Sequence, residues 1–114
     1  GSERREFMYI DDIVDILSRL IFSSFSGVVN VVSGTSYTFC DVVNILETIA
    51  GCKLEINSRP RSKTKVDNVF LNDRLLREIG QYSFTDLSKG VRALFDYPGT
   101  CEKNGEKNAG VLQT

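Results

Sequence analysis

Residues 28–32, Val-Val-Asn-Val-Val, form a nearly continuous apolar run fenced by Gly27 on one side and Ser33-Gly34 on the other. Such a run suits a strand buried on both faces, as in a parallel sheet whose two sides are covered by helices. The flanking segments supply those helices. Ile13, Ile16, Leu17, Leu20 and Ile21 recur at helical spacing before the run, and Phe39, Val42, Val43, Leu46, Ile49 and Ala50 recur so after it. Helix and strand alternating along one chain predict an α/β domain.

The punctuation agrees with that pattern. Residues 6–10 are aromatic and apolar enough for a short strand, after which Asp11 and Asp12 offer an N-cap. Their carboxylates then lie at the positive end of the first helix. Thr38 and Asp41 have the spacing of a capping box, and Gly51 stops the helix they open. Residues 53–57 alternate as a strand, and residues 69–71 predict a further short one. Asn72-Asp73 open a short helix with Leu75, Leu76 and Ile79, and Thr85 caps a last helix whose core side is Leu87, Val91, Leu94 and Phe95. The expectation is a small subdomain of short, largely parallel strands with three to four helices. Gly1 and Ser2 read as a scar of expression, residues 3–98 as the subdomain, and residues 99–114, polar and without periodicity, as a flexible tail.

Charge and cysteine usage narrow the function. Fourteen basic against fifteen acidic residues leave a net charge of -1, which argues against a general nucleic-acid binder. No apolar stretch approaches a membrane span, and no basic-then-apolar leader opens the sequence. Cys40, Cys52 and Cys101 are irregularly spaced in a chain without histidine, so free thiols in a reducing cytoplasm are expected rather than a metal site. One local feature stands out. Arg59, Arg61, Lys63 and Lys65 alternate with uncharged residues, and an extended chain would put all four on one side.

Taken in order, REFMYIDDIVDIL, VVNVVSGTSYTF, VFLNDRLLREIG and FTDLSKGVRALF resemble the extended short-chain dehydrogenase/reductases. The closer resemblance is to their NAD-dependent epimerase/dehydratase branch, which includes UDP-glucose 4-epimerases and nucleotide-sugar dehydratases. It runs from about Arg5 to Tyr97. The resemblance implies the C-terminal, substrate-binding part of a Rossmann-type enzyme without the nucleotide-binding half.

In that family a glycine-rich loop holds the NAD pyrophosphate, and a tyrosine with a lysine four residues on moves the proton. Neither is present here: Tyr9, Tyr37, Tyr82 and Tyr97 are followed at that spacing by Ile13, Asp41, Asp86 and Cys101. The resemblance therefore implies no catalytic, cofactor-binding or metal-binding residue in this chain, NAD in the parent, and an inactive isolated piece. The family's R-D-F/Y-I-x-V-x-D motif is matched by residues 5–12. Its arginine implies a diphosphate-binding role for Arg5, suited to a guanidinium that meets two phosphate oxygens at once. A second diphosphate-binding arginine falls on the basic loop, with Arg61 the first choice and Arg59 the second.

Asp12 matches the motif's aspartate and is expected to act as a structural cap. Asn30, Ser33 and Gly34 match the family's glycine-bearing turn, with Val32 where a glycine is usual, and Asn30 is expected to make a buried hydrogen bond. Tyr37 is a further candidate for the border of the pocket. The parent's implied substrate is a UDP-, dTDP- or GDP-sugar, oxidised and then epimerised or dehydrated. The rival is a stand-alone polyanion- or protein-binding module using loop 59–65. A piece cut from its Rossmann half is also expected to self-associate through the apolar face left bare.

Overall fold

The computed structural model describes residues 1–98 and the backbone of residues 111–113. Along the chain come β1 (Arg4–Glu6), α1 (Ile10–Ile21), β2 (Ser36–Thr38), α2 (Phe39–Ala50), β3 (Glu55–Asn57), α3 (Asp73–Ile79), α4 (Leu87–Phe95) and β4 (Val111–Gln113). α1 packs on α3, and α2 packs on α4. At the centre Ile16 and Leu75 are fully buried, with Val32 and Val43 nearly so.

The strands depart from expectation. β1 and β2 pair antiparallel, placing Arg4 opposite Thr38, Arg5 opposite Tyr37 and Glu6 opposite Ser36. β3 and β4 form a separate parallel pair, so the described strands are two short ribbons and not one largely parallel sheet. Residues 28–32 and 69–71 belong to no ladder, and Val28 is 81% exposed. An apolar run reports that a segment is fit for burial, but a strand also needs a neighbour for its backbone N–H and C=O groups. Among the described residues neither segment has one. β4 lies within the segment expected to be a tail, and the rest of that segment lies outside the described residues.

Local chemistry explains the helix ends. Thr38 Oγ1 accepts from Asp41 N at 3.1 Å while Asp41 Oδ2 accepts from Thr38 N at 2.8 Å, completing the expected capping box of α2. That exchange, led by the Thr38 backbone donor, holds the Asp41 carboxyl below its ordinary range. Gly51 takes the left-handed conformation (φ 68°) that closes the helix.

α1 starts two to three residues earlier than its acidic pair suggested. Tyr9 is its N-cap residue and makes no side-chain cap, so Asp12 is not the cap expected of it. Asp12 sits buried in the first turn, where Oδ2 accepts from Thr85 N at 2.7 Å and Oδ1 from Thr85 Oγ1 at 2.9 Å. Thr85 is thereby diverted from capping α4, a role taken by Asp86, whose carboxylate accepts from Ser88 N at 3.1 Å. The two elements are stitched together again at Gly90, where a Cβ would stand 3.3 Å from the Tyr9 ring.

The core is narrower than the apolar stripes implied. On α1, Ile16 is buried, but Ile10, Val14, Leu17 and Ile21 are all exposed. These four follow spacings of four, three and four residues, so α1 is apolar on a second face that nothing described covers. Leu94 and Phe95 of α4, expected in the core, are likewise exposed.

Candidate functional site

β1 is too short to bury much, yet it organises the basic loop beside it. Arg4 N donates to Asp67 Oδ1 at 2.9 Å, and Asn68 N donates to Arg4 O at 2.9 Å. Arg5 Nη1 donates to Arg4 O at 3.0 Å and also to Val66 O. These bonds lay residues 66–68 along β1 and bring the preceding loop over the start of α2. Arg4 itself ties β1 to β2, donating from Nε to Ser36 Oγ at 2.9 Å and from Nη2 to Ser36 O at 2.7 Å.

Between the loop and α2 lies a cleft of about 820 Å3. That volume is in the range of small-molecule sites. Its floor is apolar, made by Phe39, Val42, Val43 and Leu46, and its rim carries Glu3, Arg5, Arg59, Arg61 and Lys63. Phe39 is fixed by an edge-on contact with Phe7, their ring centroids 6.0 Å apart. An apolar floor under a cationic rim suits a ligand with a ring system and an anionic group.

The centre of the rim is Glu3. Its Oε2 meets Arg5 Nη2 at 2.9 Å, and its Oε1 pairs with Arg61 Nη1 and accepts from Val66 N at 3.3 Å. The Val66 donor holds the Glu3 carboxyl below its ordinary range, burial opposes this, and the Arg61 and Arg5 charges add to the lowering. The two arginines singled out from the sequence therefore meet in space, through one carboxylate that the sequence reading passed over. The signal was there: Glu3 and Arg5 are two apart, which puts them on one side of an extended strand.

The remaining candidates divide. Arg59 and Lys63 line the cleft, whereas Lys65 turns to Asp67 at 3.6 Å. Asp67 is held below its ordinary range, first by the Arg4 backbone donor and then, against burial, by Lys65. Asn30, Ser33, Gly34 and Tyr37 do not line this cleft. Ser33 N and Oγ both donate to Glu6 Oε1, the first at 2.6 Å. Glu6 neighbours Arg5 on the strand and so faces the other way, carrying the turn away from the cleft.

Gly34 is required where it stands. Its φ is +80°, and a Cβ there would come within 2.9 Å of Asn72 Cγ, whose amide donates to Ser33 O at 2.8 Å. Asn30 is exposed rather than buried, and lines a shallow depression with Leu71 and Arg74. Its place in an unpaired segment explains why it needs no buried partner. Tyr37 is half-buried, and burial raises its phenol above the ordinary value, with Asp86, Glu6 and Asp41 adding to the rise.

Among the described residues no helix start carries a glycine-rich turn. A pyrophosphate cradle needs a glycine-rich turn between a strand and a helix N-terminus. The residues at the four helix starts are Tyr9, Thr38, Asn72 and Asp86. The glycines with positive φ lie instead after helices (Gly51, Gly80) or in loops (Gly27, Gly34). No helix among the described residues is long and apolar enough to cross a membrane.

No family model matches the chain. It is similar to GDP-L-colitose synthase of Yersinia pseudotuberculosis, with 27% identity over 99 residues, covering 85% of this chain and 32% of that protein. Its fold is similar to that of TunA, an NAD-dependent NDP-hexosamine 5,6-dehydratase involved in tunicamycin biosynthesis. There the TM-score is 0.67 and the identity 28%, covering 81% of this chain and 31% of TunA. The chain thus spans about a third of the length of either relative. Four motifs in order, a similar fold and these two relatives support the resemblance to the extended short-chain dehydrogenase/reductases, in the NAD-dependent epimerase/dehydratase branch.

Proposed function

We propose that the chain is the C-terminal, substrate-binding part of an NAD-dependent nucleotide-sugar epimerase or dehydratase, and that the cleft under the basic loop takes the nucleotide diphosphate. The observation that carries this reading is the convergence of Arg5 and Arg61, distant in sequence, on one anionic group at the cleft rim. Two guanidinium groups around one acceptor make a site for paired phosphates, because each can offer a planar fork of donors. The apolar floor of Phe39, Val42 and Leu46 would then lie against the base or the sugar.

The chemistry belongs to the parent. Its Rossmann half supplies NAD, tyrosine and lysine, and the residues here bind and orient the substrate. Epimerisation or dehydration after the oxidation is decided by residues mostly outside this chain. The rival reading, a polyanion-binding module on loop 59–65, gains little. Arg61 and Lys65 already spend their charge on Glu3 and Asp67, which leaves a local site and no broad cationic face.

Calorimetry with UDP at low salt tests the reading. The whole chain should bind weakly, on the order of millimolar, and lose that binding as salt rises or when Arg61 is replaced by alanine. Equal UDP binding by wild type and Arg61→Ala would take the loop out of the substrate site. In the full-length parent, Arg61→Ala should raise KM more than it lowers kcat, since a diphosphate is held alike in ground and transition states.

A further inference from the structure

We infer that Glu3 is a resident counter-anion of this cleft, occupying the ground between Arg5 and Arg61 that an external diphosphate must take. The inference rests on the diphosphate reading above and adds to it a residue that sets affinity.

The donor arrangement separates two roles that Glu3 might have. A positioning role would require the arginines to depend on it. Arg5 does not, because its Nη1 is already anchored to Arg4 O and Val66 O, both backbone groups. What Glu3 takes from Arg5 is Nη2, and from Arg61 it takes Nη1. A carboxylate presents two acceptor oxygens to a guanidinium much as a phosphate does, so ligand and Glu3 compete for the same donors. Both cannot be satisfied together, and two anions so close would repel.

Burial and charge state support the exchange. The Glu3 side chain is 19% exposed and the Arg61 side chain 40%, so the pair sits at the mouth of the cleft where a ligand can reach it. The carboxyl is held below its ordinary range, by Val66 N first and by both arginines after burial is offset, so it stays ionised at neutral pH. Removing its charge leaves Arg5 in place by its backbone anchors and frees Arg61, with Arg59 and Lys63 on the same rim. The net change is one negative charge fewer among the cations. Diphosphate affinity should therefore rise.

The test is titration calorimetry with inorganic pyrophosphate on the whole chain at low salt, comparing wild type, Glu3→Gln, Glu3→Ala and Glu3→Gln/Arg61→Ala. Glu3→Gln keeps the shape and an acceptor for Val66 N, so it should fold even if the alanine variant does not, and a thermal melt checks this. Both single variants should bind about tenfold or more tightly than wild type, and adding Arg61→Ala should abolish the gain. Affinity unchanged or weakened in Glu3→Gln overturns the inference. The diphosphate reading survives that result if Arg61→Ala alone still weakens wild-type binding. Absence of pyrophosphate binding in every variant removes the site and the inference together.

Discussion

Replacing Asp12 with alanine should cost this chain more stability than any surface substitution, and the structure gives the amount. The carboxylate is 9% exposed and accepts from Thr85 N at 2.7 Å and Thr85 Oγ1 at 2.9 Å, with Tyr82 Oη at the limit of hydrogen bonding, 3.5 Å. Hydrogen bonds to an ionised group are worth about 1.5–3 kcal/mol each. Thr85 is only half-buried, so water would recover part of that for its two donors once the acceptor is gone. Asp12 also sits in the first turn of α1, where a negative charge adds about 0.3–1 kcal/mol. The expected loss is about 3 kcal/mol. For a domain of this size it corresponds to a fall of Tm on the order of 10–20 °C. Asp12→Asn should cost about half as much, because one acceptor oxygen remains for one of the two donors. Thr85→Ala should cost about 1.5–2 kcal/mol, the low end of that range, since it deletes only the hydroxyl and keeps the backbone donor. In urea or thermal unfolding, the Asp12→Ala/Thr85→Ala double variant should then lose less than the two single losses combined, because the hydroxyl bond is counted in both. An Asp12→Ala variant within about 0.5 kcal/mol of wild type would refute the reasoning and return Asp12 to the surface class.

Two further outcomes follow from the fold. The chain should self-associate through Ile10, Val14, Leu17 and Ile21 of α1, and sedimentation velocity should show Leu17→Glu as monomeric at concentrations where wild type is not. Stability should be flat near neutrality and fall at both ends of the pH scale. Glu3 and Glu47, ordinarily at 4.5, and Asp41 and Asp67, ordinarily at 3.8, bind protons less tightly when folded, so their contribution is present above those values and lost as pH falls through the lower folded ones. Burial, with Asp15 and Asp12 adding, pushes the Tyr82 phenol from 10.0 up to about 12, so stability is lost as pH rises across that interval, and Tyr82→Phe should shrink the alkaline limb in urea titrations, leaving the part that the raised Tyr37 phenol contributes.

Helices were more legible in this sequence than strands, since residues 53–57 do contain β3 but residues 28–32 and 69–71 join no ladder, and the reason is where each keeps its hydrogen bonds. Thr38, Asp41 and Gly51 decide the ends of α2 with groups inside the segment itself, so reading the segment suffices. The shifted starts of α1 and α4 have one cause between them. Asp12 and Thr85 were each read as a local cap, but they bind each other across 73 residues, and a tertiary bond of that kind leaves no local trace. For residues 28–32 the failure is of another sort. Four valines fit a buried strand, yet β pairing depends on what lies alongside, and a segment's own composition does not contain its neighbour.

The cleft shows the same division at the level of charge. Resemblance singled out Arg5 and Arg61 as residues that meet, and the structure brings them to one group. Resemblance said nothing of Glu3, because a motif records positions that align and not the side chain that neutralises them. The distinction matters for binding. A guanidinium already paired with an internal carboxylate offers a ligand only the difference between two anions, whereas an unpaired one offers the whole interaction. Arg5 spends Nη1 on backbone carbonyls and Nη2 on Glu3, so much of its hydrogen-bonding capacity is committed before any ligand arrives. Arg61 reaches the rim from an exposed loop, and the carboxylate it meets belongs to Glu3, just ahead of β1. The two arginines are therefore unequal partners. Arg5 fixes the loop against the strand, and Arg61 is the one whose loss should be read in ligand affinity before it is read in stability.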